Sequence, residues 1–247
     1  MGYNSHMCTN NADNTKNSAF SLTELAISVI IISLIVSAIL ASKSVIHNMK
    51  LVKVINDFNH YISAMHNFET QYGQLPGDFD NAYSFFGNDC DASADDCNGD
   101  GDGRIEWNAD NNADESNRFW QHLYLSGLTR QHSPGDGGKA ASSMRGPIDQ
   151  SSFIIEVYGF YGYSNTNNLT FTYNFGWNGI ITPKDAKIID TKMDDGTAST
   201  GRLLAADGQQ YATGVCTGSY KYQSPANYIL TSTTPGCLLA YPYEKYE

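Results

Sequence analysis

The feature that most constrains this chain is an uncharged apolar run close to its N-terminus. Residues 25–42 contain no charged side chain, and the hydrophobic residues leave no polar face wide enough for water. A helix of about 20 apolar residues is long enough to cross a bilayer. One carboxylate, Glu24, precedes the run, and a charge at that depth is unfavourable unless it finds a partner. The sequence therefore predicts a membrane-spanning helix that follows a polar segment, residues 1–19.

The helical pattern continues beyond the apolar run. Apolar side chains then recur mostly three or four positions apart, which predicts one buried stripe on an amphipathic helix. Gly73 and Pro76 end the pattern. The sequence predicts one long helix with an apolar half, residues 20–42, and an amphipathic half, residues 43–73; two helices with a break near residues 41–44 are the alternative. The predicted stripe consists of Val45, Ile46, Met49, Val52, Ile55, Phe58, Ile62, Met65, Phe68 and Tyr72.

Composition limits what the rest of the chain, residues 74–247, can be. With 247 residues in total, the chain can form one or two domains and bury a substantial core. A formal net charge of −11 argues against a nucleic-acid-binding surface. Tyrosine and glycine are abundant and only 17% of residues are charged, which is typical of a loop-rich extracytoplasmic β domain. We therefore expect a globular head after the long helix.

Cysteine usage indicates the compartment. Cys8 lies in the polar N-terminal segment, and the other four cysteines can pair in three ways. The pairing of nearest neighbours joins Cys90 to Cys97 and Cys216 to Cys237. An even number of cysteines in a membrane-anchored chain favours an oxidising compartment. Free thiols are the alternative, and a zinc site is disfavoured because no Cys-x-x-Cys or Cys/His spacing is present.

An acidic segment predicts a calcium site. Residues 78–115 hold twelve of the 26 acids and a single base, Arg104, so the segment either stays solvated or is neutralised by cations. Within it, NGDGDGRIE (residues 98–106) matches the first eight places of an EF-hand-type loop. The twelfth place is Ala109, so Glu106, Asp110 or Asp114 would have to supply the usual bidentate ligand. The predicted ligands are Asn98, Asp100, Asp102, the Arg104 carbonyl, Glu106 and Asp110. A solvated acidic loop closed by the first disulfide is the alternative.

The head is predicted to contain short helices and a small sheet. Asp114 can cap a helix over residues 115–126, and Thr182 can cap one over residues 183–193. Residues 129–150 are rich in Gly, Ser and Pro and predict a loop. Segments rich in β-branched and aromatic residues predict antiparallel strands over residues 152–163, 168–177 and 179–182, with turns at 164–168 and 178–179. Alternation would place one set of side chains on the same face of the sheet: Leu169, Phe171, Tyr173 and Phe175. The predicted fold class is α+β, with the long helix packed on a head that has a small antiparallel sheet and long loops.

The N-terminal segment AFSLTELAISVIIISLIVSAILAS resembles that of type IV pilins and type II secretion pseudopilins. The matching features are a polar leader, a small residue at Ala19, an aromatic residue at Phe20 and an acid at Glu24. Ala19 stands where the family usually has glycine. The order of four later segments is similar to that in one subgroup of proteins with such N-termini: LPGDFDNA, NGDGDGRIEW, ESNRFWQHLYLSGL and IIDTKMDDGTASTG.

The resemblance implies a processed filament subunit. A prepilin peptidase would cleave the leader, residues 1–19, between Ala19 and Phe20, the new amine would be methylated, and Glu24 would assist assembly. The implied partners are other pilin subunits, in a homo- or hetero-filament, and an inner-membrane assembly platform. The chain would sit in the inner membrane with its head in the periplasm, and then enter an extracellular or periplasmic filament. The long head favours a minor or specialised pilin.

Other functions remain open at this point. The chain could be a pseudopilin of a type II secretion system, a fibre-tip adhesion module, a membrane-anchored enzyme, or a protein with an ordinary signal peptide or signal anchor. We expect no enzymatic activity, because the sequence has no GxSxG, HExxH, P-loop or GxGxxG motif. Lys43, Lys50 and Lys53 follow the apolar run and, taken alone, favour the opposite membrane orientation.

Overall fold

In a computed structural model, the chain forms two compact units, Met1–Ile46 and His47–Glu247. Helix α1 (Leu22–Tyr72) begins in the first unit and ends in the second. The leader, Phe20 and Asp110 lie outside the residues that the structure describes. Those residues are 21–107, 114–135, 143–160, 163–210, 214–217 and 226–243.

The first unit contains the apolar part of α1. Within the described ranges, α1 is the one helix that is long and apolar enough to cross a membrane, judged by length and composition. Its large hydrophobic side chains are exposed. Each serine hydroxyl in residues 25–42 donates to a backbone carbonyl three or four positions earlier: those of Ser28, Ser33, Ser37 and Ser42. An apolar surface whose polar groups are satisfied within the helix is compatible with membrane anchoring.

The second part of α1 forms one side of the head's core. Its buried side chains are Leu51, Val54, Phe58, Tyr61, Ala64, Met65 and Phe68. The predicted stripe is therefore partly wrong: Met49 and Val52 are exposed, whereas Leu51 and Val54 are buried. Apolar residues occupy more than one face of this stretch, so their periodicity could not select the buried face. The helix ends at Tyr72, before Gly73 at a φ of 78°, as predicted.

The head contains a five-stranded antiparallel sheet in the order β1-β2-β3-β5-β4. Phe171 on the third strand is opposite Phe153 on the second and Leu239 on the fifth, and all three are buried. The Phe153 ring lies 5.0 Å from the Phe58 ring of α1, edge to face. One face of the sheet thus packs against α1. The strands are β1 (Ser143–Arg145), β2 (Ser151–Phe160), β3 (Tyr163–Tyr173), β4 (Leu204–Asp207) and β5 (Cys237–Tyr243).

In the part of the head that the structure describes, four short α-helices flank the sheet. They are α2 (Ala82–Phe86), α3 (Ala94–Cys97), α4 (Glu115–Leu125) and α5 (Pro183–Met193). The two predicted caps are confirmed, since the Asp114 side chain accepts from the Ser116 amide and the Thr182 side chain accepts from the Asp185 amide. The α+β class is confirmed as well.

The hairpin between β2 and β3 differs from the prediction. The turn predicted at residues 164–168 is wrong, because these residues lie within β3. Asn167, for example, pairs with Val157 on one side and Tyr243 on the other. Pairing on both sides overrides the turn preference of a Ser/Asn-rich segment. Phe175 lies in the turn after β3, with a φ of 61°, and does not continue the face of the strand.

Two strands lie where the sequence predicts none. β1 falls within the predicted loop 129–150, and β5 falls in the C-terminal segment. The strand predicted over residues 179–182 is instead a single bridge between Ile181 and Cys237. Short segments of this kind become strands because a neighbouring strand forms hydrogen bonds with them. Their own sequence does not show whether such a partner strand is present.

The four cysteines of the head lie at disulfide distance in the nearest-neighbour pairing. Cys90 and Cys97 have a Cα–Cα distance of 5.6 Å, and Cys216 and Cys237 one of 5.0 Å. The first pair precedes the acidic loop and the second fixes residues 214–217 to the start of β5.

Candidate metal-binding loop

Hydrogen bonds from strands β2 and β3 to its backbone attach the acidic loop 98–106 to the sheet. Ile105 is fully buried, its N–H donates to Asn167 Oδ1 at 2.9 Å, and its carbonyl accepts from the Val157 N–H at 2.9 Å. Asn167 also donates through Nδ2 to the Gly103 carbonyl at 3.0 Å. The buried side-chain amide of Asn167, on β3, thus binds the loop backbone on both sides of Arg104, at Gly103 and at Ile105. Ile105 therefore anchors the loop to the sheet.

The alternating aspartates shape the loop locally. Asp100 Oδ1 accepts from the Asp102 N–H at 3.0 Å, and Asp102 Oδ1 accepts from the Arg104 N–H at 2.9 Å. Each bond closes a turn that the side chain makes with the backbone two residues on. Gly103 has a φ of 88°, a conformation that a residue with a Cβ rarely adopts. Both aspartates are exposed, and the turn bond of each engages Oδ1.

A third carboxylate comes from a different part of the chain. Asp78 follows α1 and is fully buried, and its Oδ2 accepts from the Gly103 N–H at 2.9 Å. Its Oδ1 is buried and has no hydrogen-bond partner among the described residues. Burial is the largest cause that raises the pKa of Asp78 to about 6; the charges of Asp102 and Asp100 add to the shift, and backbone hydrogen bonds from Gly103 and Gly101 oppose it. One oxygen from each of the three aspartates lies within 4.8 Å of the others.

Glu115, at the start of α4, accepts hydrogen bonds from two backbone amides of the loop. Its Oε1 accepts from the Asp100 N–H at 3.1 Å and its Oε2 accepts from the Glu106 N–H at 3.2 Å. Burial is the main cause that raises the pKa of this carboxyl, while the two backbone bonds oppose the shift. Both oxygens of Glu115 are therefore engaged in fixing the backbone of the loop.

The predicted ligands are only partly brought together. Oxygens of Asp100 and Asp102 lie close together. In contrast, Asn98 Oδ1 accepts from the Tyr83 N–H at 2.8 Å, and the Glu106 carboxylate lies 3.4 Å from Arg104 Nε. Asp110 lies outside the described residues. Asp114, considered as an alternative, uses Oδ1 to cap α4.

Sequence reasoning missed Asp78. This residue is separated from Asp100 by 22 positions, so no local spacing could connect the two. The available signal was the pair of small residues Gly77 and Gly99, which allows the two segments to approach. An ideal Cβ on Gly99 would lie 2.3 Å from the Gly77 carbonyl oxygen and 2.5 Å from Asp78 Cα.

Replacing Gly99 with alanine is therefore expected to destabilise the head. The new methyl group would meet backbone atoms, which no side-chain rotation can move away, and overpacking of this kind costs about 1–3 kcal/mol. Urea unfolding of the detergent-solubilised chain, followed by tryptophan fluorescence, measures the effect. Gly176→Ala is the matched control, because its Cβ would meet nothing closer than 3.4 Å. Equal stability of the two variants would contradict the close approach of residues 77–78 and 99.

A second acidic cluster, formed by Asp190, Asp194 and Asp195, has a structural explanation. Asp190 Oδ2 accepts from the Tyr228 hydroxyl at 2.8 Å, and Asp195 Oδ1 accepts from the Thr197 N–H at 2.7 Å. Asp194 accepts from backbone amides of the segment before β4. Burial raises the pKa of Asp190 to about 6. These carboxylates cap the turn after α5.

Comparison with known proteins returns no match: no family model, no curated protein and no solved structure is similar to this chain. The long N-terminal helix, apolar from its start, is consistent with a pilin-like architecture.

Proposed function

We propose that this chain is a structural subunit of a type IV pilus-like filament, as a minor or specialised pilin. The observation that supports the proposal best is α1 itself (Leu22–Tyr72). One helix carries an exposed apolar segment long enough to cross a membrane and, further along, the side chains around which the head's core is built. A subunit that is stored in a membrane and then assembled through its N-terminal helix needs both parts on one helix.

The cysteines support a periplasmic location of the head. Two pairs at disulfide distance form readily where the environment is oxidising and rarely in the cytosol. The head is therefore proposed to face the periplasm while the apolar segment is in the inner membrane.

Glu24 is the residue that we propose to act in assembly. Its Oε2 accepts from the Ser21 N–H at 2.9 Å, at the exposed first turn of α1. Removing the leader would create a free amine at Phe20, and this amine is the proposed partner of the Glu24 carboxylate. A carboxylate in apolar surroundings is stable when it is paired in this way.

Processing provides the first test. We expect the mature chain to begin at Phe20 with a methylated amine, because a prepilin peptidase would cut after Ala19. Mass spectrometry of sheared filaments and of membranes reads the N-terminus directly. Ala19→Leu should leave the precursor in the membrane, whereas Ser18→Ala should be processed normally. A mature chain that still carries the leader, or that never enters the sheared fraction, contradicts the proposal.

A further inference from the structure

We propose that Asp78, Asp100 and Asp102 together bind one calcium ion. This set differs from the sequence-based one, since it adds a residue from outside the loop and omits Asn98 and Glu106. The inference does not depend on the chain being a filament subunit.

The first observation is the buried oxygen of Asp78. A buried carboxylate oxygen without a hydrogen-bond partner has lost its hydration without a compensating contact, which destabilises the charged form. Asp78 Oδ1 is in this position, whereas Oδ2 of the same carboxylate is held by the Gly103 N–H. That hydrogen bond fixes the carboxylate against the loop, and one Asp78 oxygen lies within 4.8 Å of an oxygen of each exposed aspartate. A cation between the three would satisfy the unpartnered oxygen.

The second observation is the spacing of the oxygens. Calcium binds oxygen at about 2.3–2.6 Å, so two ligands of one ion can be at most about 5 Å apart. The three aspartate oxygens lie within 4.8 Å of one another. They come from two chain segments and need only small adjustments to reach a common ion.

The third observation is that no lysine, arginine or histidine among the described residues forms a salt bridge with the group. Of the salt bridges formed by described residues, none involves Asp78, Asp100 or Asp102, and the nearest base in sequence, Arg104, contacts Glu106 instead. Three carboxylates this close repel each other unless a cation is bound.

Calcium fits better than magnesium or a transition metal. The donors in the group are all oxygens, which disfavours zinc and copper. Calcium tolerates irregular coordination by six to eight oxygens, whereas magnesium requires a near-ideal octahedron and keeps its waters. Two exposed aspartates leave room for water ligands that complete the calcium shell.

Binding would join separate parts of the head. Asp78 follows the end of α1, and the loop is held by Asn167 of β3 and Glu115 of α4. An ion at this point therefore fastens the end of α1 to the loop, and it stabilises the folded head by mass action.

The test uses the full chain purified in detergent. Thermal unfolding is recorded with a chelator, with calcium and with magnesium, and calcium affinity is measured by isothermal titration. At a hundredfold excess over the dissociation constant, calcium should raise Tm by about 5 °C or more. Asp78→Asn keeps the shape of the side chain and removes its charge. It should weaken calcium binding about tenfold or more and should be no less stable than the native chain in chelator.

Controls separate ligands from neighbours. Asp100→Asn and Asp102→Asn should also lose the rise in Tm that calcium causes. They should keep their turns, because an amide oxygen accepts the same hydrogen bonds. If Asp78→Asn does not fold, these two variants test the proposal. Asp95→Asn, an exposed acid on α3, changes the net charge equally and should keep the shift, as should Asn98→Ser. The proposal is overturned if calcium does not shift Tm at about 1 mM. It is also overturned if Asp78→Asn binds calcium like the native chain, if either control loses binding, or if magnesium acts equally well.

Discussion

Replacing Glu24 with alanine is expected to remove the chain from filaments while leaving the head folded. In the proposed assembly, the carboxylate pairs with the amine of Phe20 in surroundings that contain almost only apolar side chains. Breaking a buried pair by removing one partner costs about 3–5 kcal/mol, because the remaining charge stays buried and unpaired. An energy of that size reduces an association equilibrium by more than about a hundredfold. The core of the head lies at Leu51 and beyond, so its stability should not change.

The measurement compares the amount of chain in sheared filaments with the amount in membranes. Glu24→Gln tests the charge, because it keeps the size of the side chain, and it should fail like Glu24→Ala. Ser28→Ala is the control: its hydroxyl donates to the Glu24 carbonyl one turn away, and losing it should leave assembly intact. Normal filaments formed by Glu24→Ala would show that the pairing idea is wrong.

Replacing His122 with alanine is expected to destabilise the head by about 4 kcal/mol. The side chain is fully buried on α4. Its Nδ1 accepts from the Gly77 N–H at 3.0 Å, so Nε2 carries the proton and donates to the Cys97 carbonyl at 3.1 Å. The ring also stacks parallel to Phe68, with 6.1 Å between ring centres. Alanine would remove this packing and leave two buried backbone groups without partners. His122→Phe keeps most of the packing and should recover part of the loss.

The same histidine predicts a pH dependence. Burial lowers the pKa of His122 to about 3, and the charge of Arg118 adds to the shift, although the bond to the Cys97 carbonyl opposes it. In the unfolded chain the histidine pKa is about 6.5. Between these two values the unfolded chain binds more protons, so the free energy of unfolding falls as the pH falls from about 6.5 towards 3. From pH 7 to pH 5 the histidine should account for a loss of about 2 kcal/mol.

The loss is measured as the difference between the native chain and His122→Phe, in chelator, by urea unfolding at each pH. The difference is needed because Asp78 and Asp190, whose pKa values are raised to about 6, act in the opposite direction: their protonation at low pH favours the folded state. A native chain and a His122→Phe variant that lose stability equally on acidification would contradict a neutral buried histidine.

The elements whose cause is local could be predicted from the amino-acid sequence. The apolar run and its amphipathic continuation specify α1, because hydrophobic spacing acts within one helix. The caps at Asp114 and Thr182 were readable because a side-chain oxygen and the amide it binds lie two or three residues apart. Of the three cysteine pairings that the sequence left open, the structure has the nearest-neighbour one, with sequence separations of 7 and 21.

The tertiary structure alone decided which distant residues meet. β1 and β5 exist because they pair with strands formed elsewhere, and the segment 164–168 is a strand because it has partners on both sides. Asp78 joins the loop aspartates, and His122 bridges Gly77 and Cys97, through contacts that span 22 to 45 positions. The physical reason is that burial and hydrogen-bond satisfaction depend on what packs opposite a residue. Periodicity in a sequence predicts local structure but does not predict which distant residues come into contact. The burial of Asp78 and its unpartnered oxygen could therefore be found only from the folded head.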